Sequence, residues 1–108
     1  MQGSDLASGG MAAVVNLLRF KEPVEPAVFA GVERDLVPQM LAIKGFRGFH
    51  VVQTSDQEVI LVILGDSVEV LDQIASEVGS PWMRANVVPL LAGPPERHIG
   101  PIIASSEP

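Results

Sequence analysis

The order of apolar runs and glycine turns in this sequence predicts an α+β fold, the ferredoxin-like βαββαβ unit. Three observations carry that expectation. The first is Gly45-Phe46-Arg47-Gly48-Phe49, where two glycines three residues apart allow positive-φ backbone between a helical pattern and a strand. The second is the polar Thr54-Ser55-Asp56-Gln57, which separates the apolar runs 49–53 and 58–65 as a hairpin turn would. The third is the succession of periods: strand, helix, strand, strand, helix, short helix, strand.

The first strand is expected over 13–20. Val14, Asn16, Leu18 and Phe20 share one parity, and Val15, Leu17 and Arg19 the other. Apolar residues on both parities predict a strand covered on both faces. Pro26 then suits a first helical position, because proline surrenders no needed N–H there. Val28, Phe29, Val32, Leu36, Val37 and Met40 form the inward stripe, with Glu33, Arg34 and Asp35 on the solvated side. Pro38 should kink this helix or start a second one.

The hairpin's second strand is apolar at every position from 59 to 64, so both of its faces need cover. A sheet with helices on one side leaves the other side exposed, and an exposed apolar face of that kind predicts a homodimer. Asp66 with Glu69 reads as a capping box. Val70, Leu71, Ile74 and Val78 give that helix its inward stripe, and Gly79 should end it. Ser80 and Pro81 should then cap and open a further short helix containing Trp82, Met83, Val87, Leu90 and Leu91. Gly93-Pro94-Pro95 stops it, and a last strand is expected over 97–103, where Pro101 suits an edge. A short echo, Leu36-Val37-Pro38 and Val87-Val88-Pro89, agrees with a doubled unit.

A chain of 108 residues, 47% hydrophobic and 19% charged, favours one folded domain, expected over 11–104. Residues 105–108 read as a fraying tail. Residues 1–10 are polar and rich in glycine and serine; they read as an expression leader with Met11 as the native start, a natural flexible arm being the other reading. A formal net charge of −6 argues against nucleic acid and anionic membrane surfaces as partners. No apolar run approaches the length of about 18 residues that a membrane helix needs. Cysteine is absent, which removes disulfides and thiol catalysis and agrees with a cytoplasmic location.

Catalytic signatures are sparse. No nucleophile elbow, phosphate loop or metal-ligand spacing occurs, so no metal site and no catalytic residue are assigned. His50 and His98 lie on separate strands and read as structural or solvent-facing. Two readings of Asn16 stand. In one, backbone groups at a sheet irregularity satisfy its amide; in the other, the amide faces a pocket. Trp82 likewise reads either as core packing or as a pocket wall.

Three stretches resemble the antibiotic-biosynthesis monooxygenase family of dimeric α+β barrels. They are Val14-Val15-Asn16-Leu17-Leu18, Val37-Pro38 ahead of the 45–49 turn, and the hairpin running to Gly65-Asp66-Ser67. In that family two ferredoxin-like protomers pack sheet to sheet, each with a pocket between its helices and its sheet. Some members oxygenate polyketide aromatics or quinols without metal or flavin, others degrade haem, and many have no known activity. Haem-degrading members place an asparagine on strand one, a tryptophan at the end of strand three and a histidine on a later helix. Asn16 matches the first; Gly65 stands at the second, and 82–88 contains no histidine. The iron would lack its ligand, so the resemblance implies a protein without a cofactor.

Cofactor-free members use tyrosine among their pocket groups, and this chain has none. Substrate-assisted oxygenation does not require one, because a pocket that stabilises a substrate anion lets the substrate react with oxygen itself. The expected ligand-binding residues are Asn16, Trp82 and Arg84, the last two chosen from position. Two functions follow: a pocket protein that oxygenates an aromatic or quinol-type substrate without a cofactor, or a non-catalytic dimeric barrel that binds a small metabolite or serves as an assembly module. They separate on whether Asn16 and Trp82 line one enclosed cavity.

Overall fold

The structure, a computed structural model, describes residues 11–106, so the expected leader at 1–10 lies outside the described residues. These residues form a four-stranded antiparallel sheet in the order β2-β3-β1-β4, from β1 (Ala12–Arg19), β2 (Phe46–Ser55), β3 (Glu58–Gly65) and β4 (Glu96–Pro101). That order, with the two crossovers carried by helices, is the ferredoxin-like arrangement predicted from the sequence. The first crossover contains α1 (Pro26–Ala30) and α2 (Val37–Leu41), and the second contains α3 (Val68–Ile74) and α4 (Ser80–Asn86).

Strand parity decides which side chains meet the helices. Ala12, Val14 and Leu18 of β1 are buried there, as are Val59, Leu61 and Ile63 of β3. Two apolar clusters fill the space beneath the helices. One is built around Val14, Leu36, Met40, Leu71 and Ile74, the other around Leu18, Phe20, Val59, Val87 and Leu91. Ala13, Val15 and Leu17, with Ile60, Val62 and Leu64, occupy the opposite parity and are only half-buried. The all-apolar run in β3 therefore divides between a helix-covered face and an open one.

Both helical arms contain a wide turn of the π type, over Val32–Leu36 and Ala75–Gly79. In each, the residue before a proline donates its N–H five residues back, Val37 to Val32 O and Ser80 to Ala75 O. Pro38 and Pro81 follow, lacking the N–H that would continue the ladder. The wider turn moves the preceding carbonyls out of the pyrrolidine ring's way. Pro38 thus opens a second short helix, as the sequence allowed. Gly79, however, does not end the other helix: it is right-handed, with φ −65° and ψ −52°, and the chain runs through it into α4. The structural echo pairs Pro38 with Pro81, whereas Pro89 opens a 3-10 turn, Val88–Leu90.

Two local readings are corrected in the same way. The cap of α3 is Ser67, whose Oγ accepts from the Val70 N–H at 3.2 Å, and not Asp66. Asp66 is engaged elsewhere: its carboxylate accepts from Arg47 Nε, and its N–H donates to Gly45 O at 2.9 Å. The hairpin turn is tighter than expected, since β2 extends to Ser55 and starts at Phe46, with Gly48 inside the strand at a register shift.

Only the first glycine of the 45–49 turn uses positive φ, Gly45 at 96°. A Cβ there would also sit 2.8 Å from Val70 Cγ2. Gly45→Ala should therefore cost about 2 kcal/mol, combining left-handed strain with that clash. The expected fall in melting temperature is about 10 °C. Gly48→Ala is the control, because its nearest neighbour would be Leu64 Cδ1 at 3.6 Å, an ordinary contact. Thermal melts of the two variants test this; equal melting temperatures would contradict it.

Candidate functional site

A cleft of about 290 Å³ opens between the helix-bearing face of the sheet and the two helical arms. Its floor is apolar. Val14, Leu36 and Met40 contribute from residues that are themselves only 1–2% exposed, joined by Leu61 and Ile63 of β3. Phe49 of β2 and Met83 of α4 form walls. Both π turns border it, through Leu36 on one side and Ala75 and Gly79 on the other. Wide helical turns recur at functional sites because they displace backbone and side chains from the regular helical register.

The polar groups of the cleft are few. Asn16 projects from β1 on the parity shared with Val14 and Leu18, and it lies opposite Leu61 and Arg97 in the neighbouring strands. Strand pairing through Asn16 is regular on both sides, so no sheet irregularity is there to satisfy its amide. Among the described residues its side chain makes no hydrogen bond. The amide is thus half-buried in an apolar cleft with donor and acceptor both free. Arg84, in the last turn of α4, lines the same cleft and has no ion-pair or hydrogen-bond partner among the described residues. Arg97 of β4 and Ser80 of α4 also line it, one Arg97 Nη donating to Asp72 Oδ1 at 3.1 Å.

Of the three residues singled out from the sequence, the cleft brings together Asn16 and Arg84. Trp82 does not line it, so Asn16 and Trp82 do not share the one cavity on which the sequence reading separated an oxygenase from a non-catalytic barrel; the indole packs half-buried against both apolar clusters. Arg97 was not foreseen. Its signal was strand parity on β4, which means nothing until the register sets it opposite Asn16. At Gly65, a side chain would meet Leu71 Cδ2 at 3.1 Å and Val70 Cγ1 at 3.2 Å. The space is already occupied by core.

Other hollows lie among the described residues. One, about 400 Å³, is bounded by the loop after β1, where Lys21, Glu22 and Glu25 mix both signs of charge. Another, about 680 Å³, runs along β2 past Phe29, His50 and Val52. Neither combines apolar walls with a half-buried amide that lacks a protein partner. His50 and His98 are both exposed and lie in one row across the open sheet face, opposite Val62 and Val15 respectively. No three His, Asp or Glu side chains among the described residues gather as a metal site, and no described helix is long and apolar enough to cross a membrane.

No protein-family model matches the sequence, and no curated protein sequence does. Solved structures match its fold. A protein of unknown function from Nitrosomonas europaea superposes with a TM-score of 0.74 at 17% identity, covering 94% of this chain and 97% of that one. A variant of SnoaB, a cofactor-independent oxygenase from Streptomyces nogalater, gives 0.71 at 14% identity over 92% of this chain and 99% of that one. A Caulobacter crescentus protein provisionally named an antibiotic biosynthesis monooxygenase gives 0.70 at 21% identity, covering 94% and 97%. The chain has the fold of these structures, the ferredoxin-like protomer that the sequence resemblance implied.

Proposed function

We propose that this protein binds a small aromatic molecule in the cleft and oxygenates it without a cofactor. The observation that carries this reading is the unpartnered Asn16 amide set in an apolar enclosure between helices and sheet. A half-buried amide with no protein partner is a ready donor and acceptor for a bound polar atom, which would replace its water. The likeness to a cofactor-independent oxygenase supports the same direction.

The chemistry suits a substrate that supplies its own electrons. An anthrone-type methylene loses a proton to water at the open mouth of the cleft to give an enolate, whose oxygen accepts from Asn16. The carbanionic carbon gives electrons to molecular oxygen and forms a C–O bond; the resulting peroxide takes back a proton from water and loses water. One oxygen atom ends as the new carbonyl and the other as water, so methylene plus oxygen gives ketone plus water. A second copy of the chain covers the open sheet face and keeps the protein dimeric.

Asn16→Leu tests the assignment at nearly constant volume. No hydrogen bond of the described fold is lost, so the melting temperature should hold within a few degrees. Oxygen consumption on a panel of anthrones and hydroquinones should fall about a hundredfold, the size seen when one anion-stabilising donor is removed. Undiminished turnover in the variant would remove Asn16 from the site. A wild type that binds members of the panel without consuming oxygen would favour the non-catalytic barrel.

A further inference from the structure

The cleft has a sign of charge that its apolar floor conceals. The chain carries 13 acidic residues against 7 lysines and arginines. Among the described residues no acidic side chain lines the cleft, yet two of the seven cations do, Arg84 and Arg97. In a protein of net charge −6 this is a local reversal, a cationic rim on an apolar pocket within an otherwise acidic molecule. Low-dielectric walls strengthen the field of such a rim at the mouth.

The two guanidiniums are not equivalent. Arg97 shares one Nη with Asp72, a contact of 3.1 Å that fixes its head and leaves further N–H groups. Arg84 comes from α4 and carries an uncompensated charge among the described residues. Ser80, one turn before Arg84 in α4, adds a hydroxyl to the same lining, and it makes no side-chain hydrogen bond among the described residues. Donors thus outnumber acceptors around a pocket whose floor is hydrocarbon.

We infer that the cleft selects an aromatic carboxylate, its ring system on the floor and its carboxylate at the Arg84–Arg97 rim. The inference rests on the cleft being a small-molecule pocket and adds the ligand's charge. A carboxylate accepts two parallel N–H bonds from a guanidinium, a match that a neutral hydroxyl or ketone does not offer. It is also fully ionised at neutral pH, whereas a simple phenol is not. The volume of about 290 Å³ sits at the small end of ligand sites and suits a fused aromatic of two or three rings.

The test is calorimetric titration of the full chain with 2-naphthoate and with its neutral isostere 2-naphthamide. The carboxylate should bind at least tenfold tighter, and its affinity should fall with added salt while that of the amide does not. Arg84→Gln should cost the carboxylate about tenfold and leave the amide unchanged. Arg34→Gln, a surface cation already paired with Asp35 at 3.0 Å, should change neither. Melting curves of both variants establish that the fold is kept, and Arg84→Lys, if Arg84→Gln unfolds, should restore part of the preference. Equal affinity for acid and amide, or an equal loss of both in Arg84→Gln, overturns the carboxylate assignment while leaving the pocket reading in place. Failure of both probes to bind overturns the inference and counts against the pocket reading as well.

Discussion

Leu18→Ala should lower the stability of the fold by about 3–4 kcal/mol, the middle of the range for a buried leucine truncated to alanine. Leu18 is 0% exposed and sits opposite Val59 in the central pair of strands. Its cluster also holds Phe20, Leu61, Val87 and Leu91, which arrive from the strand end, β3 and the segment after α4. These neighbours belong to different elements, so collapse into the vacated volume would require several backbones to shift together. The cavity should therefore stay open, and its cost adds to the lost transfer energy. For a domain of this size the melting temperature should fall by at least about 12 °C. Leu41→Ala is the comparison: that leucine is 66% exposed on α2, and its loss should register within about 0.5 kcal/mol. A fall of under about 1 kcal/mol for Leu18→Ala, followed by circular dichroism on heating, would show that the cluster is not packed as described.

The same cluster explains why so much of the fold was legible. Val14, Leu18 and Phe20 alternate with half-buried partners, and β1 displays that period directly. Gly45 could be singled out because its position demands a conformation that other residues avoid. What stayed hidden was choice among equivalent local signals. Asp66 and Ser67 are both good caps; the Arg47 guanidinium settles the matter by engaging Asp66, and Arg47 is 19 residues away. Gly79 looked like a stop with Ser80 and Pro81 opening a new helix, yet a wide turn let the helix continue through it. The candidate site was legible in part for the same reason. Asn16 was visible as the one polar member of an apolar row, while Arg97 joined it only through a strand register that spans 81 positions of sequence.

Val62→Lys should convert the proposed dimer to a monomer without unfolding the chain. On the open face the sheet presents rows of paired residues: Gly48, Leu64, Ala13 and Gly100; then His50, Val62, Val15 and His98; then Val52, Ile60, Leu17 and Glu96. The centre of those rows is aliphatic, while Arg19, Glu58 and Glu96 close one end through ion pairs. The Glu96 hydrogen bond holds the Arg19 guanidinium still more firmly protonated than usual, so that end stays charged and solvated. An aliphatic centre with a polar border is the anatomy of an interface core and its rim. Ile60 belongs to this centre, whereas Leu61 points to the helices, 5% exposed, and lysine there would damage the fold itself. In a two-fold dimer the patch meets its own copy, so each Val62→Lys substitution places two ammonium groups in one apolar interface. Desolvating each costs several kcal/mol, and no carboxylate lies in the Val62 row to receive them. Sedimentation equilibrium should give twice the 11.5 kDa chain mass for the wild type and the single chain mass for the variant. Leu41→Lys, on the exposed side of α2, should remain dimeric. A monomeric wild type at micromolar concentration, or a variant that stays dimeric, would remove the open sheet face as the interface.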